Sequence, residues 1–148
     1  MERLIRPMQA QDIEPCLALW RDVEGIILRD ESDSLPALQT FLLRNPDLSF
    51  VAEDHDQIIG SILCGHDGRR AHIYHLAIQQ NLRRTRCATA LFSASLQAIR
   101  HEGITRCHAY VRSRNLTALK FWRSVDAQLR RDINVVTLQI DSQAIPPV

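Results

Sequence analysis

The chain has 148 residues, a length that favours one domain with a core of its own. Its formal net charge of +1 and its apolar fraction of 45% are typical of a globular protein and argue against a dedicated nucleic-acid binder, which is expected to be strongly basic. The N-terminal stretch MERLIRPMQAQD lacks an apolar signal segment and no run approaches about 20 apolar residues, so we expect a soluble, cytoplasmic protein without a membrane partner.

Hydrophobic periodicity and turn residues divide the chain into helices and strands. In chain order they predict a strand at 4–6, helices at 12–24 and 35–44, strands at 49–53, 57–64 and 71–78, a helix at 85–102, a strand at 106–112, a helix at 116–125 and an interrupted, strand-like segment at 128–140. Ser34 is the expected N-cap of the second helix, and Gly103 ends the third. We expect a single domain over residues 1–141 and a loose tail over 142–148.

The predicted fold class is α/β, in the mixed α+β sense. The element order gives a central, mostly antiparallel twisted sheet of six to seven strands, with four helices on its two faces. Short turns between the three strands from 49 to 78 favour an antiparallel meander. The strand at 71–78, the helix at 85–102 and the strand at 106–112 form a βαβ crossover, which makes these two strands parallel.

The stretch QNLRRTRCATAL, residues 80–91, follows a strand and opens the longest predicted helix. A helix N-terminus offers unpaired N–H groups and the positive end of a dipole, so chains often bind phosphate there. Such turns usually contain glycine, whereas this one contains Arg83, Arg84 and Arg86. It is therefore either a modified phosphate loop or a degenerate one with solvated arginines.

Two motifs and the order of elements resemble the GNAT superfamily of acyl-CoA-dependent N-acetyltransferases over nearly the whole chain. The motifs are the strand end Leu76-Ala77-Ile78 with the following Arg83-Arg84-Thr85-Arg86-Cys87-Ala88, and the later Asn115-Leu-Thr-Ala118-Leu-Lys-Phe-Trp122. The resemblance implies acetyl-CoA as co-substrate, its pantetheine arm along the strand edge and its pyrophosphate at the helix amides. The implied coenzyme-binding residues are Leu76, Ala77, Ile78, Arg83, Arg84, Thr85, Arg86, Cys87, Ala88, Thr89, Asn115 and Trp122.

Three residues depart from the family pattern. Arg86 and Asp126 stand where the family usually has glycine, and Trp122 stands where a tyrosine often protonates the leaving thiolate. If position 86 needs a positive φ, a non-glycine residue costs on the order of 1 kcal/mol, which one arginine–phosphate contact of about 1.5–3 kcal/mol would offset. An indole cannot replace a phenol as an acid, so the thiolate leaves unassisted, or Ser124 or a water protonates it.

His72 is the first candidate for the base that takes a proton from the attacking amine, with Tyr74 as its neighbour. In the family resemblance, a glutamate or a histidine base lies at this spacing before the apolar strand end. Strict alternation places His72, Tyr74, Leu76 and Ile78 on one face of the strand, and Ile73, His75 and Ala77 on the other. The alternative is that His72 is only a polar residue on a half-exposed strand.

The four cysteines are widely spaced and lack the spacing of zinc ligands, so we expect reduced thiols and no metal. Cys87 lies at a helix N-terminus, where the pKa of a thiol falls. The family usually has an apolar residue at this place, which favours a packed thiol over a nucleophile. Direct acetyl transfer also needs no covalent intermediate.

The acceptor is expected at the connection between the first two helices, about residues 25–35. Asp30, Glu31 and Asp33 make it acidic, which would suit a cationic amine, although charged loops are usually just solvated. The leading hypothesis is acetyl transfer to a primary amine of a small molecule or a protein. The alternatives are a non-catalytic GNAT-fold domain that binds acyl-CoA or a protein partner, and a nucleic-acid binder that uses the arginines. GNAT-like domains often form homodimers, although no feature of the sequence indicates one here.

Overall fold

The computed structural model describes residues 3–83, 85–141 and 146–147. These residues fall into two compact units, within 1–112 and 113–148. Arg84 lies outside the described residues, as does most of the predicted loose tail at 142–148. The single domain over residues 1–141 stays a prediction.

The first unit contains every strand and four of the five α-helices of the described chain. Its elements are β1 (Leu4–Pro7), a 3₁₀ turn (Ala10–Asp12), α1 (Ile13–Asp22), α2 (Asp30–Asp33), α3 (Leu35–Arg44), β2 (Phe50–Asp54), β3 (Gln57–His66), β4 (Ala71–Ile78), a 3₁₀ turn (Gln80–Leu82), α4 (Cys87–His101) and β5 (Cys107–Ala109). The second unit contains α5 (Leu116–Ser124). The Ser34 hydroxyl accepts the Ala37 N–H at 3.3 Å, which confirms the predicted N-cap of α3. None of the described helices is long and apolar enough to cross a lipid bilayer.

The strands form one mixed sheet in the order β1-β2-β3-β4-β5. The first three pairings are antiparallel and the pairing of β4 with β5 is parallel. The meander and the βαβ crossover through α4 are therefore confirmed. This GNAT-like α/β arrangement places the carboxyl ends of β4 and β5 at the same edge of the sheet.

The predicted numbers of strands and helices were both wrong. The described sheet has five strands because residues 128–140 form none, and Val136 and Ile140 in this segment are 91% and 85% exposed. Alternating apolar residues indicate which faces a strand would have, but a strand forms only where its backbone groups find a partner edge. The fifth helix is the single turn α2, which is too short for a periodic pattern to reveal.

The sheet is covered by α1 and α3 on one face and by α4 on the other. Trp20 of α1 is fully buried, and its indole N–H donates to the Ser61 hydroxyl of β3 at 2.8 Å. A Cβ on the neighbouring Gly60 would instead lie 3.1 Å from Leu91 of α4. Because a buried indole needs an acceptor, the bond to Ser61 fixes α1 over β3 beside β4.

Candidate active site

A β-bulge in β4 determines which side chains reach the site. The pairing of β3 with β4 shifts between Ile62 and Cys64, so Tyr74 and His75 together stand opposite Leu63. Such an extra residue interrupts the period of two, and both side chains line the same cavity. The predicted placement of His75 on the face away from Tyr74 is therefore wrong.

The bulge also splits the face that was predicted to run from His72 to Ile78. His72 and Tyr74 do share a face, since their rings stack with centroids 6.0 Å apart and planes 24° apart. Ile78 faces α4 instead, because its Cδ1 atom lies only 2.9 Å from the position of a Cβ on Gly60, next to Leu91. His72 and Tyr74 thus lie on the face that α3 covers, whereas Ile78 lies on the face that α4 covers.

A cavity of about 540 Å³ opens on the α1 and α3 side of the sheet. It is formed by the connection after α1, by α3, by the bulge and by the chain after β5. The lining residues are Gly25, Ile26, Ile27, Arg29, Ser32, Asp33, Leu38, Phe41, Leu63, Tyr74, His75, Tyr110 and Arg112. Its volume suits a small molecule or one side chain of a larger one. The connection predicted to select the acceptor forms one wall of it.

His75 and Asp33 form a hydrogen-bonded pair in this cavity. His75 Nε2 lies 2.8 Å from Asp33 Oδ1, and the two side chains are only 16% and 9% exposed. Asp33 Oδ2 accepts the Arg29 N–H at 2.9 Å and the Ser32 hydroxyl at 3.3 Å, while the Trp20 ring lies 4.7 Å from the imidazole. An ionised carboxylate only accepts hydrogen bonds, so we assign the hydrogen to Nε2 and leave Nδ1 as the basic nitrogen. The pair has the arrangement of an oriented general base.

His72 lies beside the cavity lining rather than in it. Its ring centroid is 5.6 Å from that of His108 and 5.8 Å from that of Tyr110. Tyr74 and Tyr110 both line the cavity, whereas His72 does not. Burial raises the pKa of the Tyr74 phenol, so this group is protonated at neutral pH and can donate a hydrogen bond.

The outer edge of β4 and the N-terminus of α4 follow one another along the chain. β5 pairs with β4 only over residues 71–73, so the edge over 74–78 has no strand partner within the described residues. After Ile78, a 3₁₀ turn leads to α4, whose first backbone bond runs from the Ala90 N–H to the Arg86 carbonyl at 3.0 Å. The amides of residues 87–89 therefore precede the intrahelical ladder and suit an anion.

Arg86 and Asp126, which replace family glycines, both occupy left-handed backbone. Arg86 has φ 62° and ψ 11°, and Asp126 has φ 62°. The condition under which a non-glycine residue at position 86 is costly, a positive φ, is therefore fulfilled. A non-glycine residue in this region costs on the order of 1 kcal/mol, so the preference of the family for glycine has a steric cause in this chain as well.

Replacing Arg86 by glycine should raise the free energy of unfolding by about 1 kcal/mol, because glycine adopts this backbone without steric cost. Chemical denaturation would measure it, with Arg86→Ala as the control that removes the charge but keeps the strain. Equal stabilities of the two variants would contradict the strain argument. Titration of both variants with acetyl-CoA then distinguishes two roles of the Arg86 side chain. Weaker binding than in the wild type would indicate that the side chain contacts a phosphate, and tighter binding would indicate that it obstructs the coenzyme site.

In the second unit, Asn115 caps α5. Its side-chain oxygen accepts the Ala118 N–H at 3.1 Å, which satisfies one of the free amides at the start of this helix. Trp122 packs edge-on against Phe121 with centroids 5.3 Å apart. The Ser124 hydroxyl donates to the Phe121 carbonyl at 2.6 Å. The coenzyme contacts of Asn115 and Trp122 stay predictions.

The cysteines behave as packed thiols. Cys87 is only 4% exposed, and burial raises the pKa of its thiol in spite of its position at a helix N-terminus. Burial raises the pKa of Cys16 and of Cys64 to about 12. Over the described ranges, no cluster of His, Cys, Asp and Glu side chains has an arrangement that would hold a metal ion.

Comparison with known proteins identifies the family of this chain. Residues 13–126 match the Acetyltransferase (GNAT) family model. An acetyltransferase of Pectobacterium atrosepticum is 29% identical, over 82% of this chain and 85% of that protein. An uncharacterized N-acetyltransferase of Yersinia pestis is 28% identical, over 87% and 90% of the respective chains.

Solved structures share the fold at lower identity. The PaiA N-acetyltransferase from Thermoplasma acidophilum, in complex with coenzyme A, has a TM-score of 0.74 at 19% identity, over 84% of this chain and 89% of that one. AAC(6')-Iy in complex with a bisubstrate analogue has a TM-score of 0.75 at 15% identity, over 95% of this chain and 100% of that one. The fold and the family match define an acetyltransferase. This chain belongs to the GNAT family, whose members use acetyl-CoA.

Sequence reasoning missed the pairing of Asp33 with His75 and the contributions of Arg29, Tyr110 and Arg112 to the cavity. The acidic connection and the strand histidines were both visible in the sequence. What joins them is the bulge, which no periodic pattern reveals. Tyr110 and Arg112 were assigned to a strand that in fact ends at Ala109, and past this end they reach the cavity.

Proposed function

We propose that the protein transfers an acetyl group from acetyl-CoA to a primary amine by direct attack of the amine on the thioester. One observation carries this proposal. Tyr74 and His75 line the cavity, and they also belong to the stretch of β4 whose outer edge lacks a strand partner in the described chain. A pantetheine arm paired with this edge over residues 76–78 would bring its thioester to the cavity that holds a base.

The described residues have the chemistry to hold coenzyme A. Amides 87–89 at the start of α4 suit the pyrophosphate, and no acidic residue lies in this first turn. Arg83 and Arg86 are exposed and can bind phosphate. The proposed binding set also keeps Leu76, Ala77, Ile78, Arg84, Thr85, Cys87, Ala88, Thr89, Asn115 and Trp122 from the family resemblance.

His75 is the base that we propose, since it lines the cavity and Asp33 orients it. The amine loses its proton to His75 as the new C–N bond forms, and a backbone N–H on the β4 edge stabilises the oxyanion. Collapse then breaks the C–S bond. The leaving thiolate accepts a hydrogen bond from the Tyr74 phenol and takes, through water, the proton that His75 received from the amine. His72, which stacks on Tyr74, remains the second candidate for the base.

Calorimetric titration with acetyl-CoA, desulfo-CoA and ATP tests the donor site, and release of free coenzyme A in the presence of primary amines tests transfer. We expect micromolar binding that requires the pantetheine arm, followed by amine-dependent release. Binding without transfer to any amine would support the non-catalytic alternative, which Trp122 in place of tyrosine favours. No binding at millimolar acetyl-CoA would overturn the proposal.

A further inference from the structure

Two arginines line the acceptor cavity. Arg29 belongs to the connection between α1 and α2, and Arg112 follows β5 on another wall. Neither guanidinium forms an ion pair with any carboxylate in the described parts of the chain. Arginine is always charged and matches a carboxylate through two parallel hydrogen bonds.

The carboxylate in the cavity already has hydrogen-bond partners. Asp33 is the one acidic residue among the described lining residues, and it binds His75 through one oxygen and accepts two hydrogen bonds through the other. Asp30 and Glu31 do not line the cavity. The acidic wall that would suit a cationic acceptor is therefore absent from the described lining, in which positive charge is in excess.

The remaining walls are apolar or aromatic. Ile26 and Leu38 line one part of the cavity, and Phe41 contacts Tyr74 edge-on with centroids 5.8 Å apart. Apolar walls stabilise an aliphatic or aromatic side chain, and they give a polycation no partner for additional ammonium groups.

We propose that the acceptor is an amino acid with an apolar side chain, held by its carboxylate at Arg29 and Arg112 and acetylated on its amino group. This inference rests on the proposed function. The carboxylate pairs with the Arg29 and Arg112 guanidinium groups, the side chain packs against the apolar walls, and the amine lies next to the base, His75. A phosphonate has the same ionic chemistry, so the test includes one.

The test compares acceptors that differ only in the anionic group. Phenylalanine and leucine are compared with phenethylamine and 3-methylbutylamine, from which the carboxylate is missing, and with 1-amino-2-phenylethylphosphonate. Two measurements are made: kcat/KM with acetyl-CoA, and calorimetric binding of each acceptor in the presence of coenzyme A. The variants are Arg29→Gln, Arg112→Gln and the control Arg69→Gln, since Arg69 lies in an exposed turn outside the cavity.

We expect kcat/KM to be at least tenfold higher for the amino acids than for the simple amines. Each cavity variant should lose about tenfold for amino acids, mainly through KM, and change little for simple amines, whereas Arg69→Gln should resemble the wild type. Equal binding of both classes, no binding of amino acids at 10 mM, or amino-acid turnover unchanged by the two variants would overturn the inference. A higher kcat/KM and tighter binding for the phosphonate than for phenylalanine would overturn the carboxylate assignment in favour of phosphate-type acceptors. Turnover of simple amines alone would leave the proposed transfer standing while this inference fails.

Discussion

Replacing His75 by alanine should lower kcat at neutral pH by about a hundredfold or more, because the amine then has no positioned group to take its proton. Binding of acetyl-CoA should change little, since the helix amides and the strand edge over 76–78 remain. The lost rate should return as pH rises, because solvent deprotonates the amine instead. A pH–rate profile of wild type and variant with one acceptor would measure both effects.

Two matched variants identify the source of this effect. Asp33→Asn keeps the size of the side chain but offers an amide in place of the carboxylate that binds His75 Nε2. It should lower kcat at least tenfold, because the imidazole loses the group that fixes its tautomer. His72→Ala removes a ring of similar size outside the cavity and should leave kcat within a few-fold of wild type. The reverse order, with His72→Ala the more damaging, would show that the sequence-based choice of base was correct.

The fold was largely predictable because local patterns carry most of it. Helix α3 begins and ends where its cap, its proline and its periodicity predicted, and β4 has its predicted bounds. The parallel pairing of β4 and β5 followed from the crossover alone. A strand also needs a neighbouring strand to pair with, and a local pattern carries no information about that neighbour. Residues 128–140 therefore have the pattern of a strand without forming one in the described chain.

The site was less predictable, for two physical reasons. A bulge adds one residue to one strand and depends on its neighbour, so alternation could not place His75 in the cavity beside Tyr74. The charge of a cavity also depends on which side chains are already paired. The sequence showed acidic residues near Asp33. In the structure Asp33 is hydrogen-bonded to His75, and Arg29 and Arg112 have no carboxylate partner among the described residues.

Replacing Thr89 by glutamate should separate the stability of α4 from its proposed role in phosphate binding. Thr89 is exposed in the first turn of the helix, which contains no acidic residue. A negative charge there interacts favourably with the helix dipole, so the free energy of unfolding should rise by about 0.3–1 kcal/mol. The same charge beside the pyrophosphate should weaken acetyl-CoA binding by on the order of 2 kcal/mol, about thirtyfold.

The control is Gln97→Glu, which adds the same charge to an exposed position near the other end of α4. There the charge opposes the dipole but lies one turn before Arg100, so the stability should change little. The charge also lies far from amides 87–89, so this variant should bind acetyl-CoA like the wild type. Calorimetric titration and chemical denaturation of the two variants provide the four values needed. If Thr89→Glu is the more stable variant and still binds acetyl-CoA more weakly, loss of helix structure cannot be the cause of the weaker binding. Unchanged binding by Thr89→Glu would instead mean that the start of α4 does not hold the coenzyme, and that Arg86 replaced glycine in a loop that no longer binds phosphate.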